Sequence, residues 1–223
     1  MDKERGTLAM RVLIPRAALE QRVAALAAEI DRDYSNVPLE ETARQPSAAP
    51  GQQFSAAATA TGQKARPPED PLIVIGVLKG SVFFLSDLLK QVTVPVAVDF
   101  FQTSSYGGAG TNRGEVRIRK DIDLSIRGRD VLLIEDIVDT GYTVRTILDL
   151  LRFRGARSVR LCALLDKVDA REIEVPVDYR GFAIENAFVV GYGLDYGERF
   201  RNLSYIAVWE EAADQSAAVP SPC

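Results

Sequence analysis

The stretch Val131-Leu-Leu-Ile-Glu-Asp-Ile-Val-Asp-Thr-Gly-Tyr-Thr143 constrains this chain more than any other. Four apolar residues, Val131 to Ile134, read as a buried strand. Glu135 and Asp136 follow at its end, and Asp139 sits in a turn. Thr140, Gly141 and Thr143 then lead into a helix whose apolar face is Val144, Ile147, Leu148 and Leu151, stopped by Gly155 as a C-cap. Such a strand–turn–helix unit can hold a phosphorylated sugar. Its acids reach ribose hydroxyls or a metal ion, while turn amides, hydroxyls and the helix dipole hold a phosphate. As a plain αβ crossover it would carry three mutually repelling carboxylates at the mouth of one strand for no structural gain. It is not a Walker A loop. Gly191-Tyr-Gly193 begins a dinucleotide fingerprint, but Tyr196 stands where its third glycine belongs.

The rest of the chain alternates in the same way. Residues 8–14 read as a strand ending at Pro15, and 16–34 as a helix with Leu19, Val23, Leu26, Ala27 and Ile30 on one face. Leu72 to Val77 is a strand, and Ser81 is placed to cap a helix carrying Phe84, Leu85, Leu88 and Leu89. Val94 to Phe101 is a strand, 103–114 a Gly-rich polar loop, and 115–119 a further strand. Ser158 to Leu165 is another, with short strands near 181–190 and 205–209. Strands alternating with helices predict an α/β fold, a parallel sheet core flanked by helices, with ligands at the strand carboxyl ends. The N-terminal strand and about 181–209 would form a small hood over that edge. One domain is expected from 1–43 and 71–210. Residues 44–70, rich in Ala, Pro and Gln with Phe54 the only bulky apolar side chain, read as a disordered insertion, and 211–223 as a flexible tail.

Composition removes several classes of function. A net charge of -4 gives no basic field for nucleic acid, and no basic stripe or spare helix-turn-helix is present. Two cysteines, Cys162 and Cys223, make neither a disulfide framework nor a zinc site and suit a reducing cytosol. No signal peptide or membrane-length apolar run is expected, which together with the cysteines predicts a cytoplasmic protein. The chain has no histidine, so any general base must be a carboxylate, Lys or Tyr.

The Glu-Asp-Ile-Val-Asp-Thr-Gly block resembles the phosphoribosyl-pyrophosphate (PRPP) signature of type I phosphoribosyltransferases, in the form of the hypoxanthine-guanine branch. The resemblance covers roughly residues 8–42 and 71–210. It implies the type I phosphoribosyltransferase fold and transfer of ribose 5-phosphate from PRPP to a 6-oxopurine, with Mg²⁺ as cofactor. Glu135 and Asp136 would fix the ribose hydroxyls. Asp139 would act near purine N7 as general base or as stabiliser of the proton there. Thr140, Gly141, Tyr142 and Thr143 would cradle the 5′-phosphate, although some members carry a lysine at the position of Tyr142.

Other motifs extend the resemblance. Val77-Leu-Lys-Gly80 resembles the pyrophosphate loop, in which the peptide corresponding to Lys79-Gly80 is cis; alone it reads as a tight βα turn. Ser105-Tyr106, followed by a glycine-rich run, resembles the lid that excludes water from a cationic transition state, and otherwise reads as a flexible hairpin. Lys167 resembles the lysine that donates to the purine 6-oxo group, against the alternative of a solvated lysine. In Phe188-Val-Val-Gly-Tyr-Gly-Leu-Asp-Tyr196, Phe188 would stack on the base and the Val189 backbone would bond its edge, unless Phe188 and Tyr192 are core aromatics. Arg201 would contact pyrophosphate. Glu135, Asp136 and Asp195 would hold or position the metal. A homo-oligomer, dimer or tetramer, is implied. A non-catalytic PRPP-sensing regulator, or a transferase acting on xanthine or a pyrimidine, remains open at this stage.

Overall fold

The computed structural model describes residues 9–35, 70–105 and 116–210. The predicted insertion, apart from Asp70, and the predicted tail lie outside these residues. The elements, in chain order, are β1 (Ala9–Ile14), α1 (Arg16–Tyr34), β2 (Leu72–Leu78), α2 (Val82–Leu89), β3 (Val96–Ser105) and β4 (Val116–Lys120). They continue with β5 (Asp130–Val138), α3 (Tyr142–Phe153), β6 (Ser158–Asp166), β7 (Tyr179–Ala183), β8 (Val189–Val190) and β9 (Ile206–Glu210).

Six strands form the main sheet in the order β4-β3-β2-β5-β6-β7. All neighbours run parallel except the edge strand β4, which is antiparallel to β3. Successive side chains of a strand point to opposite faces, and both faces are covered here, so β2 and the Val131–Ile134 stretch of β5 carry unbroken apolar runs. Leu72, Val74, Leu132 and Ile134 face one core, shared with α1 and α2. Ile73, Ile75, Val77, Val131 and Leu133 face the other, closed by Val144, Ile147, Leu148 and Leu151 of α3. Helices thus cover both faces, and α1 buries the predicted stripe from Leu19 to Ile30. The end of α3 is a Schellman cap: Gly155 adopts φ +83 and donates to Arg152 O, and the Ala156 amide reaches Leu151 O.

Several features differ from expectation, each for a local reason. β5 runs on through Glu135 and Asp136 to Val138, because its ladder with β6 continues to Val138↔Asp166. β3 extends to Ser105 because it gains β4 as a partner. Ser81 makes no side-chain cap; its hydroxyl turns back and donates to Val77 O at 2.6 Å. The hood sheet is β1-β9-β8, and residues 181–183 are not in it. They belong to β7, which extends the main sheet through pairs such as Cys162↔Tyr179, with Tyr179 buried.

Candidate functional site

β2 and β5 are parallel neighbours, so the turns leaving them lie side by side at one sheet edge. A cavity of about 490 Å³ opens there. Lys79 and Gly80 line it from the β2 turn; Glu135, Asp136, Asp139, Thr140, Gly141 and Thr143 from β5 and the start of α3. Asp195, Glu198 and Arg201 come from the loop between β8 and β9, and Gln102, Thr103 and Arg119 from β3 and β4. The crevice beyond strand carboxyl ends is where open α/β sheets bind ligands.

Two glycines make the close approaches possible. A Cβ on Gly80 would overlap the Asp136 carboxylate, so only glycine lets the β2 turn lie against the acids of β5. Gly141 precedes α3 at φ +96, and a Cβ there would strike the Ile173 carbonyl. The cis peptide is Leu78-Lys79, one bond earlier than the Lys79-Gly80 expected from sequence, at the last residue of β2.

Glu135 and Asp136 are two carboxylates with restricted access to water. Burial drives the Glu135 carboxyl well above its usual range, reinforced by the charge on Asp136. Its Oε2 is buried and has no hydrogen-bond partner among the described residues. Asp136 is raised to about 6, chiefly by burial, with the Ile137 amide and Arg201 opposing and Asp195 assisting. Such a pair is poised to receive donors or a cation.

Asp139 is half exposed in the turn and accepts a hydrogen bond from Lys167 Nζ at 3.0 Å. Lys167 is buried, with 7% of its surface exposed, so it is not a solvated lysine. It follows β6, and its amide donates to Val138 O at 3.0 Å, tying the ends of β5 and β6 together. Behind it Asp166, fully buried, is paired with Arg171 and Arg180.

The hood loop brings the cations. Arg201 donates to Gly193 O at 2.8 Å and pairs with Asp195 at 2.8 Å. Asp195 also accepts from the Glu198 amide at 2.8 Å. Glu198 spans the two expected pyrophosphate ligands, with Oε1 3.0 Å from Lys79 Nζ and Oε2 3.2 Å from Arg201 Nη2. Those bonds hold its carboxyl below the usual range, Lys79 contributing most.

Other expected positions are less directly placed. Phe188 is half exposed, its ring edge-on to Tyr196 at 5.8 Å, and it is not a core aromatic. Val189 is buried and pairs with Val208. Lys167, Phe188, Val189 and Tyr142 are not among the residues lining the cavity. Tyr142 begins α3 and accepts from Thr146 Oγ1 through its carbonyl. Tyr192 is core, its hydroxyl donating to Asp87 at 2.8 Å. Ser105 is the last residue of β3, and Tyr106 lies outside the described residues.

The three acids expected at the metal do not form a closed site by themselves. Among the described residues no three acidic side chains converge tightly enough to hold an ion alone. Arg201 and the Glu198 amide draw the Asp195 carboxylate to themselves. Glu135, whose Oε2 has no partner among the described residues, and the adjacent Asp136 are hard oxygen donors. They fit Mg²⁺, which is commonly held by one or two carboxylates together with water and substrate phosphates.

Sequence reasoning missed Glu198 and Arg119. Glu198 is one charge in a polar turn, where nothing in the order of residues marks its partners. Arg119 shares the alternation Val116, Arg117, Ile118, Arg119, which reads as an ordinary solvated strand face.

The chain matches the phosphoribosyl transferase domain over residues 51–197. It belongs to the phosphoribosyltransferase family. The hypoxanthine phosphoribosyltransferase of Haemophilus influenzae is 50% identical over 137 residues, 61% of this chain and 76% of that protein. The hypoxanthine-guanine phosphoribosyltransferase of Bacillus subtilis is 47% identical over 144 residues, 65% of this chain and 80% of that protein. The solved hypoxanthine phosphoribosyl transferase of Trypanosoma cruzi superposes with a TM-score of 0.74 at 33% identity, covering 93% of this chain and 95% of that one. Its C-terminal region has a described role in that protein's oligomeric state and enzymatic activity. The sheet and hood described above are therefore the type I phosphoribosyltransferase fold.

Proposed function

We propose that this phosphoribosyltransferase serves purine salvage, converting hypoxanthine or guanine plus PRPP to IMP or GMP plus pyrophosphate. The observation that carries this reading is the Asp139–Lys167 pair, set beside the Thr140-Gly141-Tyr142-Thr143 turn. A PRPP sensor needs the phosphate turn and the acids, but not a buried lysine donating to a turn carboxylate.

In this reading the C1′–O bond to pyrophosphate breaks and a bond from C1′ to a purine ring nitrogen forms. Thr140, Gly141, Tyr142 and Thr143 hold the 5′-phosphate through turn amides and the start of α3. Glu135 and Asp136 orient the ribose hydroxyls. Lys79, the Gly80 amide and Arg201 receive the pyrophosphate after Glu198 releases the two side chains. Asp139 takes or holds the N7 proton as the base becomes attached. Lys167 has three donors, so it can keep Asp139 and still donate to the 6-oxo oxygen. Phe188 would cover one face of the base, with the Val189 backbone at its edge. Ser105 and Tyr106 would belong to the lid that excludes water. Mg²⁺, held by Asp136 and Glu135 with Asp195 nearby, would supply charge neutralisation for the leaving pyrophosphate.

The same reading places the enzyme in the cytoplasm as a homo-oligomer acting on small molecules. No described helix is long and apolar enough to cross a membrane. Purified protein incubated with PRPP, Mg²⁺ and hypoxanthine should yield IMP by mass spectrometry, and light scattering should give a mass above one chain. PRPP binding without any nucleotide product would favour the sensor instead.

A further inference from the structure

Arg119 is a cavity residue that the assignments above leave unused. It stands on β4, where the ladder with β3 shifts: Gln102 pairs with Lys120, but the next residue, Thr103, pairs with Ile118. Arg119 is the extra residue of a β-bulge. Bulges next to ligand sites commonly re-aim a side chain that regular alternation would point elsewhere. The bulge is anchored from behind. Lys120 Nζ reaches the buried Asp99 carboxylate at 3.3 Å, and Asp99 also accepts the Asp123 and Leu124 amides at 2.7 and 2.8 Å. With Lys120 committed to Asp99, Arg119 lines the cavity together with Thr143 and Val144 of α3.

Among the described residues its charge is unspent. Lys79 and Arg201 are both engaged by Glu198, and Arg201 by Asp195 as well. No ion pair or side-chain hydrogen bond is found for the Arg119 guanidinium among the described residues. The phosphate turn brings no cation of its own: Tyr142 fills its variable position, and Arg145, the first basic residue of α3, pairs with Asp149 at 2.7 Å. β4 packs against α3, the helix whose N-terminus forms that turn.

Resting on the transferase reading above, we propose that Arg119 binds the 5′-phosphate monoester of PRPP and of the product nucleotide. It supplies from the neighbouring strand the charge that the turn lacks. A guanidinium can meet two phosphate oxygens at once, which suits it to this position.

The test compares wild type, Arg119→Gln and Arg119→Lys by calorimetric titration with GMP, guanosine, PRPP and magnesium pyrophosphate. One charge-assisted contact corresponds to about 10- to 100-fold in affinity. Arg119→Gln should weaken GMP and PRPP by about that much. Guanosine and pyrophosphate should change less than about twofold, and Arg119→Lys should recover only part of the GMP loss, because lysine keeps the charge but not the two-pronged fork. Unchanged GMP binding in Arg119→Gln overturns the proposal while leaving the transferase reading intact. Loss of pyrophosphate binding with GMP unaffected also overturns it, by moving Arg119 to the other anion. A wild type that binds neither GMP nor PRPP overturns both.

Discussion

Lys167 Nζ lies 3.0 Å from Asp139 Oδ2, and the lysine is buried while the aspartate faces the cavity. The pair joins the loop after β6 to the turn after β5, the two places where base and ribose chemistry would meet. An ammonium cannot accept a hydrogen bond, so the lysine fixes the carboxylate's orientation and offers only donors to whatever sits beside it.

Asp139→Asn should therefore reduce kcat by about 10²-fold or more, within the usual range for a general base. The KM for PRPP should stay near wild type, because the shape is kept and the phosphate turn is untouched. Steady-state kinetics at saturating base checks this, and near-normal kcat removes Asp139 from the proton step.

Base choice should depend on Lys167. Adenine presents an amino group where a 6-oxopurine presents an acceptor, so donor would face donor. Sites built around a buried polar contact reject such analogues by about 10⁴-fold. Lys167→Gln introduces an amide that can also accept, and should narrow the hypoxanthine-to-adenine ratio of kcat/KM. An unchanged ratio would mean that Lys167 acts on Asp139 alone.

Glu198 is exposed, and its bonds to Lys79 and Arg201 compete with pyrophosphate for both cations. Exposed pairs are weak, so Glu198→Gln should lower the KM for PRPP only modestly, by about two- to fivefold. A higher KM would show that the carboxylate holds the two cations in place and does not compete with the ligand.

The raised carboxyls of Glu135 and Asp136 make stability fall with pH. An acid whose folded pKa exceeds its unfolded value stabilises the fold fully below the unfolded value and loses that contribution as pH rises through the folded one. For Asp136 the window runs from 3.8 to about 6, and for Glu135 it starts at 4.5 and extends well above. Without metal or PRPP, Glu135→Gln and Asp136→Asn should raise the Tm at pH 8 and change it little at pH 4. Scanning fluorimetry across that range reads the effect. Equal shifts at both pH values would point to packing, not ionisation.

Much of this was legible in the chain because it depends on local pattern. The stripe from Leu19 to Ile30 fixed α1 at Arg16–Tyr34, and Gly155 fixed the end of α3. The acids Glu135, Asp136 and Asp139 fell at the cavity because a buried strand has to end near them. What sequence missed depends on partners distant along the chain. β7 could not be assigned to the main sheet without its pairing to β6, and Glu198 reads as a surface charge until Lys79, 119 positions away, is brought to it. Arg119 lies in a bulge that no local alternation announces, because the register shift belongs to two strands together.

The cavity is expected to join PRPP to a 6-oxopurine. The direct measurement is Mg²⁺-dependent release of pyrophosphate from PRPP by the wild-type protein, with hypoxanthine, guanine, xanthine, adenine and uracil supplied one at a time. Release with hypoxanthine or guanine, abolished by EDTA and essentially absent with adenine and uracil, is the expected result. Release with adenine or uracil equal to that with hypoxanthine, or none with any base despite PRPP binding, would contradict the account.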